Sequence, residues 1–213
     1  MAKPINVVID ISHHQTAVDF ARVRAAGIVG VIHKATEGSR FVDKKYQERR
    51  RQALDAGLLW GAYHFGVGGA GRDQADHFLE TVDPTDSTLV VLDFEANRVG
   101  PTMTLDQARD FVTHLEAHIG RFAGLYSGSL IKEQLGAVST PDPILSQCFL
   151  WIAQYSGQKP IDIPSTFPRW TLWQYTDGVH GNTPHTVDGI GLCDRDLFNG
   201  SLANLRRLWG VTG

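Results

Sequence analysis

The chain has 213 residues, 42% of them hydrophobic and 20% charged, with a formal net charge of −3. That length buries a sizeable core as one domain without disulfide staples, and the charge balance gives nucleic acid or an anionic membrane surface no reason to bind. No apolar run approaches the ~20 residues of a membrane span, and the opening MAKPINVVIDIS lacks the long apolar core of a secretory signal.

In chain order, the first strand-like run is residues 5–12, with Asp10 at the end of its apolar stretch and His13-His14 just beyond. A helical pattern over 17–26 stops at Gly27, and a strand over 29–35 leads into Lys34 and Glu37. The helix predicted over 43–56 stops at Gly57 and carries the only dense basic run, Lys44–Gln52, which reads as a solvated face. A strand over 59–66 holds Tyr63 and His64, and a helix over 73–81 follows. The strand over 89–95 ends in LDFE, two carboxylates two positions apart. Next, Thr104-Leu-Asp-Gln107 reads as a capping box, and Leu105, Ala108, Phe111, Val112, Leu115 and Ile119 line one helical face. A strand over 122–128 and a short helix over 129–135 complete the alternating part.

Beyond that point the pattern changes. Strands over 149–155, 171–176 and 191–198 are joined by Pro- and Gly-rich connections without helical period, and a last helix spans 201–209. The fold class is therefore α/β: five βα units followed by three strands lacking helices, closing into an irregular TIM-like barrel. The alternation predicts a parallel arrangement, with an open doubly wound sheet as the alternative.

In such a barrel, reactive groups sit at the C-terminal ends of the strands. Asp10, Asp93 and Glu95 fall there, and Asp194 and Asp196 lie in the last strand, which pairs with the first if the barrel closes. Positions i and i+2 share a strand face, so Asp93 and Glu95 point into one cavity, and crowding makes at least one acid hold its proton to higher pH. A protonated acid beside ionised partners is what glycoside cleavage needs. Tyr63, His64, Tyr126, Trp151, Tyr155, Trp173 and Tyr175 fall at the same rim, where flat rings suit sugar faces. Some of them are expected to pack into the core instead.

Other motifs weigh less. Gly66-Val-Gly68-Gly-Ala-Gly71 satisfies the dinucleotide pattern GxGxxG between a strand and a helix, but it sits on the third strand. Nine histidines raise the question of metal, yet there is no HExxH, His13-His14 is a loop pair, and His33 and His64 read as hydrogen-bonded strand residues, so no metal is expected. GLYSG lacks the GxSxG spacing of a serine nucleophile. Cys148 and Cys193 read as buried free thiols, a single bridge being the alternative. Lys34 and Glu37 form either an ion pair bordering the pocket or a plain surface pair.

Eight pieces, IDISHHQ (9–15), HKATEG (33–38), GAYHF (61–65), LDFE (92–95), LYS (125–127), LWIAQY (150–155), LWQYT (172–176) and DRDLFNG (194–200), resemble in order the glycoside hydrolase family 25 muramidases, or Chalaropsis-type lysozymes. The resemblance spans roughly residues 5–200. It implies one catalytic domain over 1–213 with that irregular barrel and no wall-binding module. It further implies cleavage of the β-1,4 bond between N-acetylmuramic acid and N-acetylglucosamine in a peptidoglycan glycan strand, with no cofactor. Carried over by position, Glu95 is the general acid and Asp93 the partner that orients the substrate's acetamido group, so retention is expected. Asp10 and Asp194 are the further pocket acids, and Tyr63, His64, Tyr126, Trp151, Trp173 and Gln174 contact or shape the sugar site. Lys34, Glu37, Tyr155 and Asp196 are added as bordering residues. Asp196 is a departure, standing where the family more often shows asparagine, and Asp194 is taken as the inward acid. A monomer is expected, acting on the bacterial wall after lysis or non-classical export, as a phage endolysin or an injected effector would. The competing reading is a catalytically silent sugar-binding barrel.

Overall fold

The run Thr88–Asp93 is buried at every position, and only a sheet covered on both faces can accommodate such a strand. In the computed structural model, which describes residues 3–211, that cover is a barrel interior on one side and a helix layer on the other. The expected domain range of 1–213 extends past the described residues at both ends.

The alternating part contributes β1 (Ile5–Ile11), α1 (Phe20–Ala25), β2 (Gly30–Glu37), β3 (Phe41–Val42), α2 (Tyr46–Asp55), β4 (Leu59–Phe65), α3 (Gly71–Val82), β5 (Thr88–Asp93), α4 (Leu105–Ile119), β6 (Gly124–Ser127) and α5 (Ser129–Leu135). After it come β7 (Leu150–Ala153), β8 (Trp170–Thr176), the hairpin strands β9 (Thr186–Val187) and β10 (Gly191–Leu192), β11 (Asp194–Phe198) and α6 (Leu202–Leu208). The sheet runs β1-β11-β8-β7-β6-β5-β4-β2, and a β1–β2 pairing closes it, leaving β3 as an appendage of β2. This is the irregular α/β barrel expected from the pattern.

One strand departs from the parallel expectation. β11 pairs antiparallel with both β8 and β1. No helix carries the chain back across the barrel between β8 and β11, so the chain re-enters from the end where it left, and antiparallel neighbours need no crossover. β11 therefore starts at the mouth where the parallel strands finish.

Alternation divides the side chains cleanly. Val8, Ile32, Val91, Leu172 and Phe198 pack inside the barrel with Tyr126 and Trp151. Ile9, Val31, Ala62, Leu92 and Ile152 point outward beneath the helices, against residues such as Phe78 and Phe111. α6 closes the far end: a Cβ on Gly30 would lie 3.2 Å from the Trp209 ring, so the glycine leaves room for the plug.

Local signals explain the helices. Thr104 and Gln107 form the expected capping box, with Gln107 N–H donating to the Thr104 hydroxyl at 3.3 Å and Thr104 N–H donating to the Gln107 side chain at 2.9 Å. Ala108, Phe111, Val112 and Leu115 are the buried face of α4. α1 starts later than the 17–26 pattern, because Asp19 caps it by accepting from Arg22 N–H. Cys148 and Cys193 are buried and free. Among the described residues, no helix is long and apolar enough to cross a membrane.

The glycines of the 66–71 segment serve packing. A Cβ on Gly66 would stand 2.7 Å from Met103 Sδ, one on Gly68 2.5 Å from Pro101, and one on Gly71 2.2 Å from the Gln107 carbonyl. The motif lets β4 and the start of α3 lie directly against the segment that follows LDFE. We expect Gly71→Ala to push α3 off α4 and cost about 2–3 kcal/mol, read as a lowered midpoint in urea unfolding, with neither NAD nor ATP raising the Tm of the native chain. An unchanged midpoint together with nucleotide stabilisation would favour the dinucleotide reading.

Candidate active site

At the mouth, a cavity of about 310 Å³ is lined by acids from three different strand ends, Asp10 of β1, Asp93 and Glu95 at the end of β5, and Asp194 at the start of β11. The β1–β11 register sets Asp10 directly opposite Asp194. Tyr63, Tyr126, Trp151, Tyr155 and Gln174 complete the walls. A wider groove of about 790 Å³ runs along residues 16–22 and 186–191. It is an open surface feature around the exposed Arg22–Asp188 pair and holds none of the crowded acids.

The polar floor is one connected network. Gln174 is its hub: its Oε1 accepts the phenols of Tyr126 at 2.8 Å and Tyr155 at 2.6 Å, and its Nε2 donates to Asp10 Oδ2 at 2.8 Å. Beneath it, Trp151 Nε1 donates to Asp196 Oδ1 at 2.7 Å. Asp196 is 0% exposed, and its Oδ2 meets no N–H or O–H donor. The neighbouring acid of the floor is Asp10, and two such buried charges repel unless one is neutralised. Burial, followed by the charge of Asp194, pushes Asp196 well above the usual carboxylate range. Asp196 in turn adds to the rise of Asp10, so the proton belongs to the pair. Arg195, its neighbour in sequence, points away and donates to Thr186 O and Asn6 Oδ1.

Desolvation governs the other acids too. Burial raises Asp10 strongly, with Asp194 and Asp196 adding to it and the Gln174 bond opposing. Burial and then Glu95 raise Asp93, which Lys34 partly offsets. Glu95 is raised by burial against the pull of Arg98. Asp194 is pushed up to about 6, by burial first and then by Asp177 and Glu95. Asp93 Oδ1 is buried without a hydrogen-bond partner among the described residues.

Backbone ties hold the LDFE turn. Phe94 N–H donates to Tyr126 O at 2.8 Å, and Ser127 Oγ donates to Phe94 O at 2.6 Å. Phe94 itself is buried in the helix-side core, which leaves the carboxylates on either side of it facing the cavity. The glycine at 128 keeps space for Glu95, whose Oε1 would lie 3.3 Å from a Cβ there.

Comparison with known proteins identifies the family. The model of the family described as glycosyl hydrolases family 25 matches residues 9–183. The chain belongs to glycosyl hydrolase family 25. Lysozyme M1 of Streptomyces globisporus is 31% identical over 94% of this chain and 70% of its own length. The N,O-diacetylmuramidase of Chalaropsis sp is 26% identical over 93% of this chain and 96% of its own. A bacterial lysozyme structure from Streptomyces coelicolor superposes with a TM-score of 0.84 at 29% identity, covering 99% of both chains. The protein is thus a glycosidase.

Not every residue singled out in the sequence reaches the cavity of this family 25 hydrolase. His64 alternates with Tyr63 and points outward, stacked on Phe111 at 4.9 Å. Its ring nitrogens meet Thr36 Oγ1 at 2.7 Å and Gln74 Oε1 at 3.2 Å, and burial pushes its pKa down to about 3, so it is a neutral structural residue. Trp173 likewise alternates out from Gln174 and donates to Gln154 O at 2.7 Å within the outer core. Tyr175, also on that outer face, bonds Asn6 and Pro184. Asp196 lies beneath the floor rather than at the rim. Lys34 and Glu37 do form an ion pair, at 2.6 Å, but neither lines the cavity. Lys34 rests on the rings of Phe41 and Phe65 and acts on Asp93 through its charge.

Three lining residues were not identified from the sequence: Ser12, His14 and Gln15, on the loop after β1. Their signal lay in IDISHHQ, from which only Asp10 and the histidine pair were singled out. That loop explains the basic run, whose reading as a solvated face fails for Lys45 and Arg49. Lys45 Nζ donates to His13 O at 3.0 Å and Gln15 O at 2.8 Å, while buried Arg49 donates to Ser12 O at 2.7 Å and Gln15 O at 2.5 Å. The cations of α2 hold the loop by its carbonyls. His13 turns away from the cavity to Asp43, at 2.9 Å.

The raised acids make the site a source of instability. Asp194 holds its proton to about pH 6 in the folded chain against 3.8 ordinarily, so its ionisation costs stability that is absent below the lower value and complete above the higher one. We expect Asp194→Asn to stabilise the fold by up to about 3 kcal/mol at pH 7 and by almost nothing at pH 3.5, measured by urea unfolding at both values. An equal gain at both pH values would place its cause outside this titration.

Proposed function

We propose that this glycosidase is a lysozyme that cleaves the β-1,4 bond between N-acetylmuramic acid and N-acetylglucosamine in peptidoglycan, with net retention at the anomeric carbon. The observation that carries the reading is the pair at the end of β5: Glu95, whose hold on its proton burial strengthens, beside an Asp93 whose buried Oδ1 meets no donor among the described residues. Glu95 protonates the departing glycosidic oxygen as the bond from C1 breaks. The acetamido carbonyl oxygen of the same sugar closes onto C1 from the opposite face, while its N–H donates to Asp93 Oδ1. Water then opens that ring, Glu95 takes the proton back from it, and two inversions leave the configuration unchanged.

The remaining acids have a supporting part. Asp194, ionised above about pH 6, faces the positive charge that develops on the sugar, and Gln174 keeps Asp10 oriented. Tyr63, Tyr126, Tyr155 and Trp151 offer ring faces and hydroxyls to a sugar with apolar faces and polar edges. The chain acts on cell-wall peptidoglycan as a substrate-sized cleft on one catalytic barrel.

Digestion of purified peptidoglycan, followed by reduction and identification of the new ends, tests this directly. Wild type should release reducible muramic acid ends, and Glu95→Gln should lose 10²-fold or more in kcat, on the order of the usual general-acid contribution, with an unchanged circular dichroism spectrum. Wall binding without any release by the wild type would establish a silent sugar-binding barrel instead. NMR of the first-formed product should show the retained anomer, since the inverted one requires direct attack by water.

The pH profile offers a separate check. Glu95 must be protonated to act, so activity falls as pH rises through its elevated pKa. Arg98 opposes that elevation, so Arg98→Ala should move the alkaline limb of kcat/KM to higher pH. A limb that stays in place or moves down would assign it to another group.

A further inference from the structure

Outside the mouth, a second cluster of titratable groups lies on the outer surface of the helix layer. Asp76 projects from α3, and His114 and His118 project from α4. The two histidines are one helical turn apart and share a face, with ring centroids 4.3 Å apart. His114 Nε2 stands 2.6 Å from Asp76 Oδ1, and one potential ligand atom from each of the three residues falls within 4.8 Å of the others.

We propose that Asp76, His114 and His118 form a binding site for a divalent transition-metal cation, zinc, copper or nickel, that staples α3 to α4. Two imidazoles and one carboxylate are a donor set for borderline cations; calcium and magnesium call for more oxygen ligands than the site provides. Around a tetrahedral zinc with bonds near 2.0–2.1 Å, neighbouring ligand atoms lie about 3.3 Å apart. Reaching that spacing needs small rotations of His118 and Asp76, both exposed and free to make them.

The orientation of His118 supports the assignment independently of the spacing. Its Nδ1 donates to the backbone carbonyl of His114 at 2.8 Å, which fixes the tautomer and leaves Nε2 with its lone pair outward. Metal-binding histidines are commonly held in this way through the ring nitrogen that does not bind the metal. His118 also sits in the last turn of α4, where the unpaired carbonyls favour a cation. On binding, the metal displaces the proton between His114 Nε2 and Asp76 Oδ1, and that proton leaves to solvent.

The site lies where a staple has an effect. α3 follows β4, which carries Tyr63, and α4 follows β5, which carries Asp93. A second tie between the helices already exists, Arg72 N–H to Asp110 Oδ2 at 2.9 Å. A cation bridging Asp76 to both histidines strengthens the outer support of that wall of the barrel without entering the catalytic cavity.

The test is titration of the full chain, freed of metal by EDTA, with zinc chloride, read by calorimetry and by thermal unfolding. We expect one zinc per chain and a Tm rise of roughly 5 °C or more at a hundredfold excess over its Kd. His118→Ala should weaken binding at least about tenfold and remove the Tm rise, while peptidoglycan turnover stays as in wild type. Asp76→Asn should weaken binding as well. Among the described residues His118 makes no bond between the helices, so its variant decides the matter even if Asp76→Asn loosens the metal-free fold. Absence of binding at millimolar zinc, or binding that both variants leave unchanged, would overturn the proposal and leave Asp76–His114 as a simple ion pair.

Discussion

Carboxylates that water barely reaches set the terms for the rest of this molecule. The β1–β11 pairing brings Asp10 against Asp194, with Asp196 two residues deeper on the same strand, and β5 delivers Asp93 and Glu95 to the same mouth. Unpaired charge at such a place is costly, and the direct remedy is to keep protons. The cation that acts on Asp93, Lys34, is itself engaged by Glu37. The barrel withholds water and counter-charge, and each of these acids therefore holds its proton to higher pH than a free side chain.

The scaffold has to hold that arrangement against its own repulsion. It does so with rigid backbone ties and an apolar interior. The LDFE turn is anchored through the peptide of Phe94, the floor through Gln174, and the loop after β1 through the cations of α2. Below the acids, Val8, Ile32, Val91, Leu172 and Phe198 fill the barrel, and Trp209 supports them from the closed end. The instability is confined to the mouth, and the core offsets it, as is common where strained or charged groups serve chemistry.

Much of this was legible in the sequence because it depends on period and order. Strand and helix alternation gave the barrel, and the apolar run ending in Asp93 and Glu95 pointed to the cavity. What was not legible depends on a single alternation or on direction. Tyr63 and His64 are adjacent aromatic residues on one strand, as are Trp173 and Gln174 among polar and aromatic neighbours, and composition does not say which of each pair faces in. The reversal of β11 left no mark, since a short strand reads alike in either direction. Lys45 and Arg49 looked like a solvated run because their partners are backbone carbonyls, which no side-chain pattern announces.

Asp196 shows that the surroundings of an acid cannot be read from its neighbours in sequence. An aspartate at a fully buried position, one residue from Arg195, would ordinarily be read as half of an ion pair. The arginine alternates outward, so the carboxyl is left with an indole N–H on one oxygen and a second carboxyl near the other. Burial and the charge of Asp194 hold the Asp196 carboxyl well above the usual range, and Asp196 in turn raises Asp10. What the position supplies in this chain is an acceptor for the Trp151 indole, at a depth where burial disfavours its charge.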